Sequence, residues 1–174
     1  MIDYPALKKQ GFLKQKDPMR FSLRLKVVGG YVSTEQLGDI HQLAMMYGQG
    51  HVHLTSRQSV EIPNIPYEVI PAVQAYMSEK GLKPATIGPG VRTITACQGE
   101  TICGSGLVDA TGLARALDER FADFGAPHKF KIGITGCRNN CLKAEENDLG
   151  IKGAMIPVFK EAGCVYCGLC SKKC

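Results

Sequence analysis

Apolar and polar residues change their period several times along this chain, and each change marks an element. Residues 1–19 are polar and basic, punctuated by Pro5, Gly11 and Pro18, and read as an extended leader. From Phe21 the pattern alternates, with Phe21, Leu23, Leu25 and Val27 set against Ser22, Arg24 and Lys26. That period predicts a half-buried strand, ended by Gly29-Gly30. Ser33, with Gln36 three residues on, offers a capping box. Leu37, Ile40, Leu43, Ala44 and Tyr47 follow at helical spacing until Gly48, and Met45-Met46 read as packing within that helix. Residues 51–54 and 59–62 read as two short strands joined by a turn. Pro66 opens a second helix that buries Val69, Ile70, Val73, Tyr76 and Met77 and closes at Gly81. Residues 20–83 are thus a β-α-β-β-α unit, and the fold class is α+β.

Ile87-Gly88-Pro89-Gly90 is the candidate boundary within a second unit, residues 84–160. Its expected elements are a strand over 91–96, a helix over 111–122 with Leu113, Leu117 and Phe121 on one face, and a strand over 129–135. Phe130, Ile132 and Ile134 point inward in that strand, and a last strand pair spans 149–159. Gly88, Gly90, Gly104 and Gly106 read as turns.

The cysteines change the picture most. All eight fall into two quartets: Cys97-x5-Cys103 with Cys137-x3-Cys141, and the compact run Cys164-x2-Cys167-x2-Cys170-x3-Cys174 over residues 161–174. The chain opens without a basic region and apolar run, so the expected setting is a reducing, cytoplasmic one. There, thiols grouped in fours read as metal ligands rather than a disulfide scaffold. Structural zinc takes tight C-x2-4-C knuckles. The wider first quartet suits an iron–sulfur cube better, with zinc as the alternative. Both of its pairs begin just after a predicted strand, where a sheet can place loop ligands. The terminal run matches the bacterial ferredoxin pattern, in which the fourth cysteine serves another cluster. No such second motif follows Cys174, so the sequence reads as a fragment.

With 44% hydrophobic and 21% charged residues, disorder is excluded, and no apolar run is long enough for a membrane helix. The net charge of +5 suits an anionic ligand. Lys and Arg are dispersed and Trp is absent, which argues against a zinc-bearing nucleic-acid module.

Leu54-Thr55-Ser56-Arg57-Gln58, Val91-Arg92-Thr93, the x5 cysteine pair, Lys129-Phe130-Lys131 and Gly136-Cys137-x3-Cys141 occur in one order. In that order the chain, from about residue 20 to 155, resembles the sirohaem-dependent sulfite and nitrite reductases. Its size and terminal motif are similar to small anaerobic and dissimilatory members. The resemblance implies a ferredoxin-like half followed by an α/β cluster- and sirohaem-binding half, ending in the start of a ferredoxin motif. It implies a [4Fe–4S] cube on Cys97, Cys103, Cys137 and Cys141, with Cys141 bridging to sirohaem, and a second cluster on Cys164, Cys167, Cys170 and Cys174. It also assigns Arg57, Arg92, Lys129 and Lys131 to a small oxyanion, sulfite or nitrite, with Arg57 and Arg92 also binding cofactor.

Taken alone, Lys129 and Lys131 are solvated strand lysines, Arg57 a surface turn residue, Arg92 a partner for some carboxylate, and His51 and His53 strand histidines. Sulfite or nitrite reduction from a low-potential electron donor is the leading reading; a non-catalytic electron-transfer or scaffold subunit is the alternative. Larger relatives carry two copies of this repeat, so a homodimer or paired subunit is expected.

Overall fold

The computed structural model describes residues 2–122 and 124–173. The expected leader is partly folded. Asp3 accepts a hydrogen bond from Ala6 N (3.0 Å) and caps a helix, α1 (Tyr4–Lys9); a strand, β1 (Phe12–Lys14), follows. Gly11, at φ 89°, makes the turn between them.

Strands β2 (Arg20–Leu25), β3 (His53–Leu54) and β4 (Val60–Pro66) complete an antiparallel sheet of order β1-β2-β4-β3. Of the strand expected over 51–54, only His53-Leu54 pairs. A bulge between Phe21 and Leu23 turns Ser22 inward, against the expected alternation. Its hydroxyl is satisfied there by Gln15 Nε2 at 2.9 Å. Helix α2 (Thr34–Tyr47) carries the capping box at Ser33 and Gln36 and buries Ile40, Leu43 and Ala44. Leu37, Met45 and Met46 are exposed, so the apolar stripe is narrower than the sequence suggests. After Pro66 a short 3-10 turn leads into α3 (Ile70–Glu79), which buries Ile70, Val73 and Met77, with Val69 and Tyr76 at the margin. These side chains join Phe12, Phe21, Leu23 and Leu25 in one core.

The second core gathers Val91, Ile94, Ala96, Ala110, Ala114, Ile132 and Ile134. It lies between α4 (Ala110–Phe121) and parallel strands. Strand β5 (Gly90–Val91) pairs with β7 (Lys129–Phe130), and β6 (Thr95–Ala96) with β8 (Ile132–Thr135), which also pairs with β9 (Leu149–Lys152). The expected strands 91–96 and 129–135 are therefore each interrupted. In 91–96 the carbonyls of residues 93 and 94 are taken by Arg57 Nη2 (3.1 Å) and Gly29 N (2.9 Å), and in 129–135 Lys131 N is taken by Asp148 Oδ2 (2.8 Å). Two further expectations fail. Phe130 is exposed beside Phe124 in an apolar hollow rather than inward. Only β9 forms of the last strand pair: Pro157 cannot donate to a ladder, and Met155, Ile156, Val158 and Phe159 are exposed. On α4 the buried face is Ala110, Thr111 and Ala114; Leu113 is exposed, while Leu117 and Phe121 pack at the edge.

A buried-edge ion pair, Lys26 Nζ to Asp118 Oδ2 at 3.1 Å, ties β2's exit to α4. No helix among the described residues is long and apolar enough to cross a membrane.

Candidate active site

The first cysteine follows β6 and the third follows β8, so two neighbouring parallel strands deliver them to the same end of the sheet. Cys97 N donates to Ile134 O at 3.0 Å, which fixes the start of the first loop. The loop then folds on itself: Cys103 N reaches Gly99 O (2.9 Å), Gly106 N reaches Cys103 O (2.8 Å) and Glu100 N reaches Val108 O (3.0 Å). It leans on the second loop through Leu107 N to Gly136 O at 2.8 Å. Glycines make this approach possible. A Cβ on Gly136 would lie 2.8 Å from Gly99 Cα, and one on Gly153 would collide with Gly136 O. In the first loop a Cβ on Gly106 would collide with the Glu100 backbone, and Gly99 sits at φ 68° with a Cβ position 2.6 Å from Ala110 N. Gly99→Ala is expected to cost about 1–3 kcal/mol by strain and overpacking, read as a lower urea midpoint.

Asn140 shapes the second loop. It adopts φ 53°, a conformation that Asn tolerates better than most, accepts from Ala144 N at 2.9 Å and bonds Glu145, which in turn pairs with Lys152 at 3.2 Å. Hydrogen bonding to its own backbone, and then bonds from Asn140 and Lys152, hold the Glu145 carboxyl below its ordinary range.

The result is one open cavity of about 600 Å³ whose lining includes Cys97, Cys103, Cys137 and Cys141. Cys97 and Cys137 are half-buried, and Cys103 and Cys141 are exposed. Cys97 Sγ accepts from Gly136 N at 3.0 Å and from Thr135 Oγ1 at 3.8 Å, which fixes its position against the second loop. Among the described residues, no three Cys, His, Asp or Glu side chains converge as a single metal ion needs. Four thiols around a roomy cavity fit a multi-iron group better than one tetrahedral ion.

A second, smaller cavity, about 130 Å³, is lined by Arg57, Arg92 and Arg24 and meets the first at Ser59. Arg24 is neutralised by Glu61 at 2.8 Å. Arg57 instead donates to neutral acceptors, Asn147 Oδ1 at 2.8 Å and Thr93 O at 3.1 Å. Arg92 makes no ion pair among the described residues, and its backbone N donates to Phe130 O at 2.8 Å. Burial lowers the pKa of Arg57, and Arg92 adds to the effect while Asp148 opposes it. Burial also lowers that of Arg92, with Arg24 contributing. Thr93 Oγ1, on the same wall, is buried without a partner. Two guanidiniums that repel each other beside an unpaired hydroxyl form a site that an anion relieves.

The lysines stand apart from both cavities. Lys129, in β7, is exposed, and Lys131, between β7 and β8, is half-buried. The parallel register nonetheless sets Lys131 next to Arg92, and Lys131 N donates to Asp148 Oδ2 at 2.8 Å. His51 and His53 are exposed, and the Nδ1 of His51 bonds its neighbour Gln49 O. In the terminal run Cys164 is half-buried, Cys167 and Cys170 are exposed, and Cys164 Sγ accepts from Tyr166 N at 3.4 Å. These three lie outside the cavity of the first quartet; Cys174 falls outside the described residues. Asn147, Asn140 and the glycine contacts carry no sequence signal of their own, whereas Thr93 adjoins Arg92 in one of the ordered motifs. Gln58 likewise adjoins Arg57.

The model of the nitrite/sulfite reductase ferredoxin-like half domain matches residues 13–80, and that of the nitrite and sulphite reductase 4Fe-4S domain matches residues 87–173. A coenzyme F420-dependent sulfite reductase of Methanocaldococcus jannaschii is 37% identical over 84% of this chain and 23% of its own length. One of the subunits of the anaerobic sulfite reductase of Salmonella typhimurium is 33% identical over 87% of this chain and 49% of its own. The chain thus spans half or less of these relatives. A solved dissimilatory sulfite reductase I shares the fold at TM-score 0.64 and 21% identity, over 71% of this chain and 30% of that one. With one model matching each half and the four-thiol cavity at the end of the second, the chain belongs to the nitrite and sulphite reductase family.

Proposed function

We propose that this chain is the cluster- and sirohaem-bearing part of a reductase acting on sulfite or nitrite. The observation that carries the reading is the pairing of two cavities: four thiols in one, and in the next two guanidiniums that have no carboxylate partner among the described residues. Cys97, Cys103, Cys137 and Cys141 would hold a [4Fe–4S] cube, and the exposed Cys141 is the thiol that would also serve sirohaem. When bound, these groups supply single electrons to the substrate. The donor set fits them: thiolates for iron, and cations for the carboxylates of sirohaem.

The chain's own residues bind and orient the anion. Arg57 and Arg92 present planar, permanently charged forks to oxyanion oxygens and to cofactor carboxylates. Their fixed positions cost no reorganisation as charge develops on departing oxygen. Lys131, beside Arg92 in register, and Lys129 lend protons as each oxygen leaves as water, directly or through a relayed water. Asp148, whose carboxylate accepts from Lys131 N, offsets the repulsion that Arg92 exerts on Arg57. The spacing of Cys164, Cys167, Cys170 and Cys174 supports a second cluster, which receives electrons from a low-potential donor. The open cysteine cavity is closed by a second copy of the chain or by a paired subunit.

The test is anaerobic turnover of sulfite and nitrite with reduced methyl viologen, beside the visible spectrum. Sirohaem bands with reduction of either anion support the proposal. Cluster absorbance without sirohaem, and no turnover, points to an electron-transfer subunit.

A further inference from the structure

Arg57 and Gln58 are adjacent in the turn between β3 and β4, and both reach one strand segment of the other core. Arg57 Nη2 donates to Thr93 O at 3.1 Å. Gln58 Nε2 donates to Ala96 O at 2.9 Å while its Oε1 accepts from Ala96 N at 2.9 Å. The side-chain amide therefore satisfies both backbone groups of one residue, as a neighbouring strand would. Only a primary amide of this reach offers a donor and an acceptor at once.

The turn is built to aim it. Gln58 sits at φ 59°, its N donates to Thr55 O at 3.0 Å, and Ser59 N donates to Thr55 Oγ1 at 3.0 Å. Gly30 covers the amide from behind: a Cβ there would lie 3.2 Å from Gln58 Cδ, at φ 69°. The residue it grips is placed for consequence. Ala96 is 1% exposed and directly precedes Cys97, while Arg92 begins the same segment.

We propose that Gln58 is a positioning residue: its amide clamp on Ala96 sets the spacing between the Arg57–Arg92 pair and the first thiolate of the cavity. This rests on the reading of Arg57 and Arg92 as oxyanion-holding. Without the clamp, a buried N–H and C=O lose their partners and the Arg57 turn loses two of its three bonds to the strand.

Gln58→Met keeps the volume and makes neither bond. It is compared with the parent and with Arg57→Ala, each loaded anaerobically, by amide hydrogen exchange over residues 93–97, iron and labile-sulfide content, and sulfite KM and kcat. In Gln58→Met, exchange at Ala96 is expected to rise on the order of tenfold or more, the scale of a lost hydrogen bond. Sulfite KM is expected to rise about tenfold with kcat changed far less, and iron and sulfide are expected to stay at parental levels. Unchanged exchange would overturn the clamp; faster exchange with unchanged KM would overturn its positioning role; loss of iron and sulfide would make Gln58 a requirement for loading instead. Should Gln58→Met fail to fold, Gln58→Asn, an amide one methylene short, carries the same readouts. If Arg57→Ala leaves KM and kcat unchanged, the oxyanion reading itself fails; if it impairs turnover while Gln58→Met does not, only the clamp fails.

Discussion

Cys137→Ser is expected to empty the cysteine cavity of iron and labile sulfide and to abolish turnover. Cys137 follows the Gly136 turn, which is pinned by Leu107 N to Gly136 O at 2.8 Å and by Gly136 N to Cys97 Sγ at 3.0 Å. Its thiol is therefore held in place before any iron arrives, and no other described cysteine of the chain lines the cavity to replace it. Loss of an outer partner of a metal ligand costs roughly 10–100-fold in metal affinity, so loss of the ligand itself should exceed about 100-fold. The fold should persist, because Cys137 belongs to neither buried core. Circular dichroism and a melting curve near the parent's, with iron and sulfide gone, are the expected pair of results. Cys167→Ser is the control: it should leave the first quartet loaded.

Arg57→Ala is expected to lower turnover by on the order of 10²–10³, the scale of removing one fixed donor from a site where charge develops. The guanidinium is held by Asn147 Oδ1 and Thr93 O, both neutral, so its charge stays available to an anion. Arg57→Lys separates charge from geometry. One ammonium keeps the charge but does not span both acceptors as the fork does, so intermediate activity is expected. The same loss in both variants would mean that the fork matters more than the charge. Parental turnover in Arg57→Ala would remove Arg57 from the site. The measurement is kcat/KM for sulfite and for nitrite, with cluster content checked first.

The parts of the molecule with one strong local signal are legible in its sequence. The alternation at Phe21, Leu23 and Leu25 places β2, and the Ser33–Gln36 pair marks the start of α2. Glycine-ended apolar runs locate α2 and α3. Elements whose form depends on a distant partner are less legible. The break in the strand 91–96 follows from Arg57 and Gly29 taking the carbonyls of residues 93 and 94, some 36 or more positions away, and that in 129–135 falls at Lys131, whose N bonds Asp148. Six-residue α1 offers only Tyr4 and Leu7 at helical spacing, too short a stripe to announce it, although Asp3 ahead of Pro5 is itself a cap signal. Phe130 alternates correctly with Ile132, yet the sheet edge there faces an open hollow rather than a helix.

The candidate site divides in the same way. Cysteine spacing identifies a quartet and argues for its size, but the glycine contacts that press the two loops together appear only in three dimensions. Arg57 and Arg92 look like ordinary surface charges until the turn after β3 docks on the strand that begins at Gly90. Lys129 and Lys131 keep the solvated or half-buried character that their alternating strand suggests; only the register beside Arg92 brings Lys131 near the arginines. Gln58 carries no charge and no metal-ligating group, so composition does not mark it, although its neighbour in sequence does.

The most direct measurement is labile sulfide, iron and zinc, with the electron paramagnetic resonance of the reduced sample, on a variant with Cys164, Cys167, Cys170 and Cys174 all changed to serine. A cube held by Cys97, Cys103, Cys137 and Cys141 alone predicts about four sulfides and four irons per chain and the signal of a reduced [4Fe–4S] cluster. Zinc with no labile sulfide would contradict it.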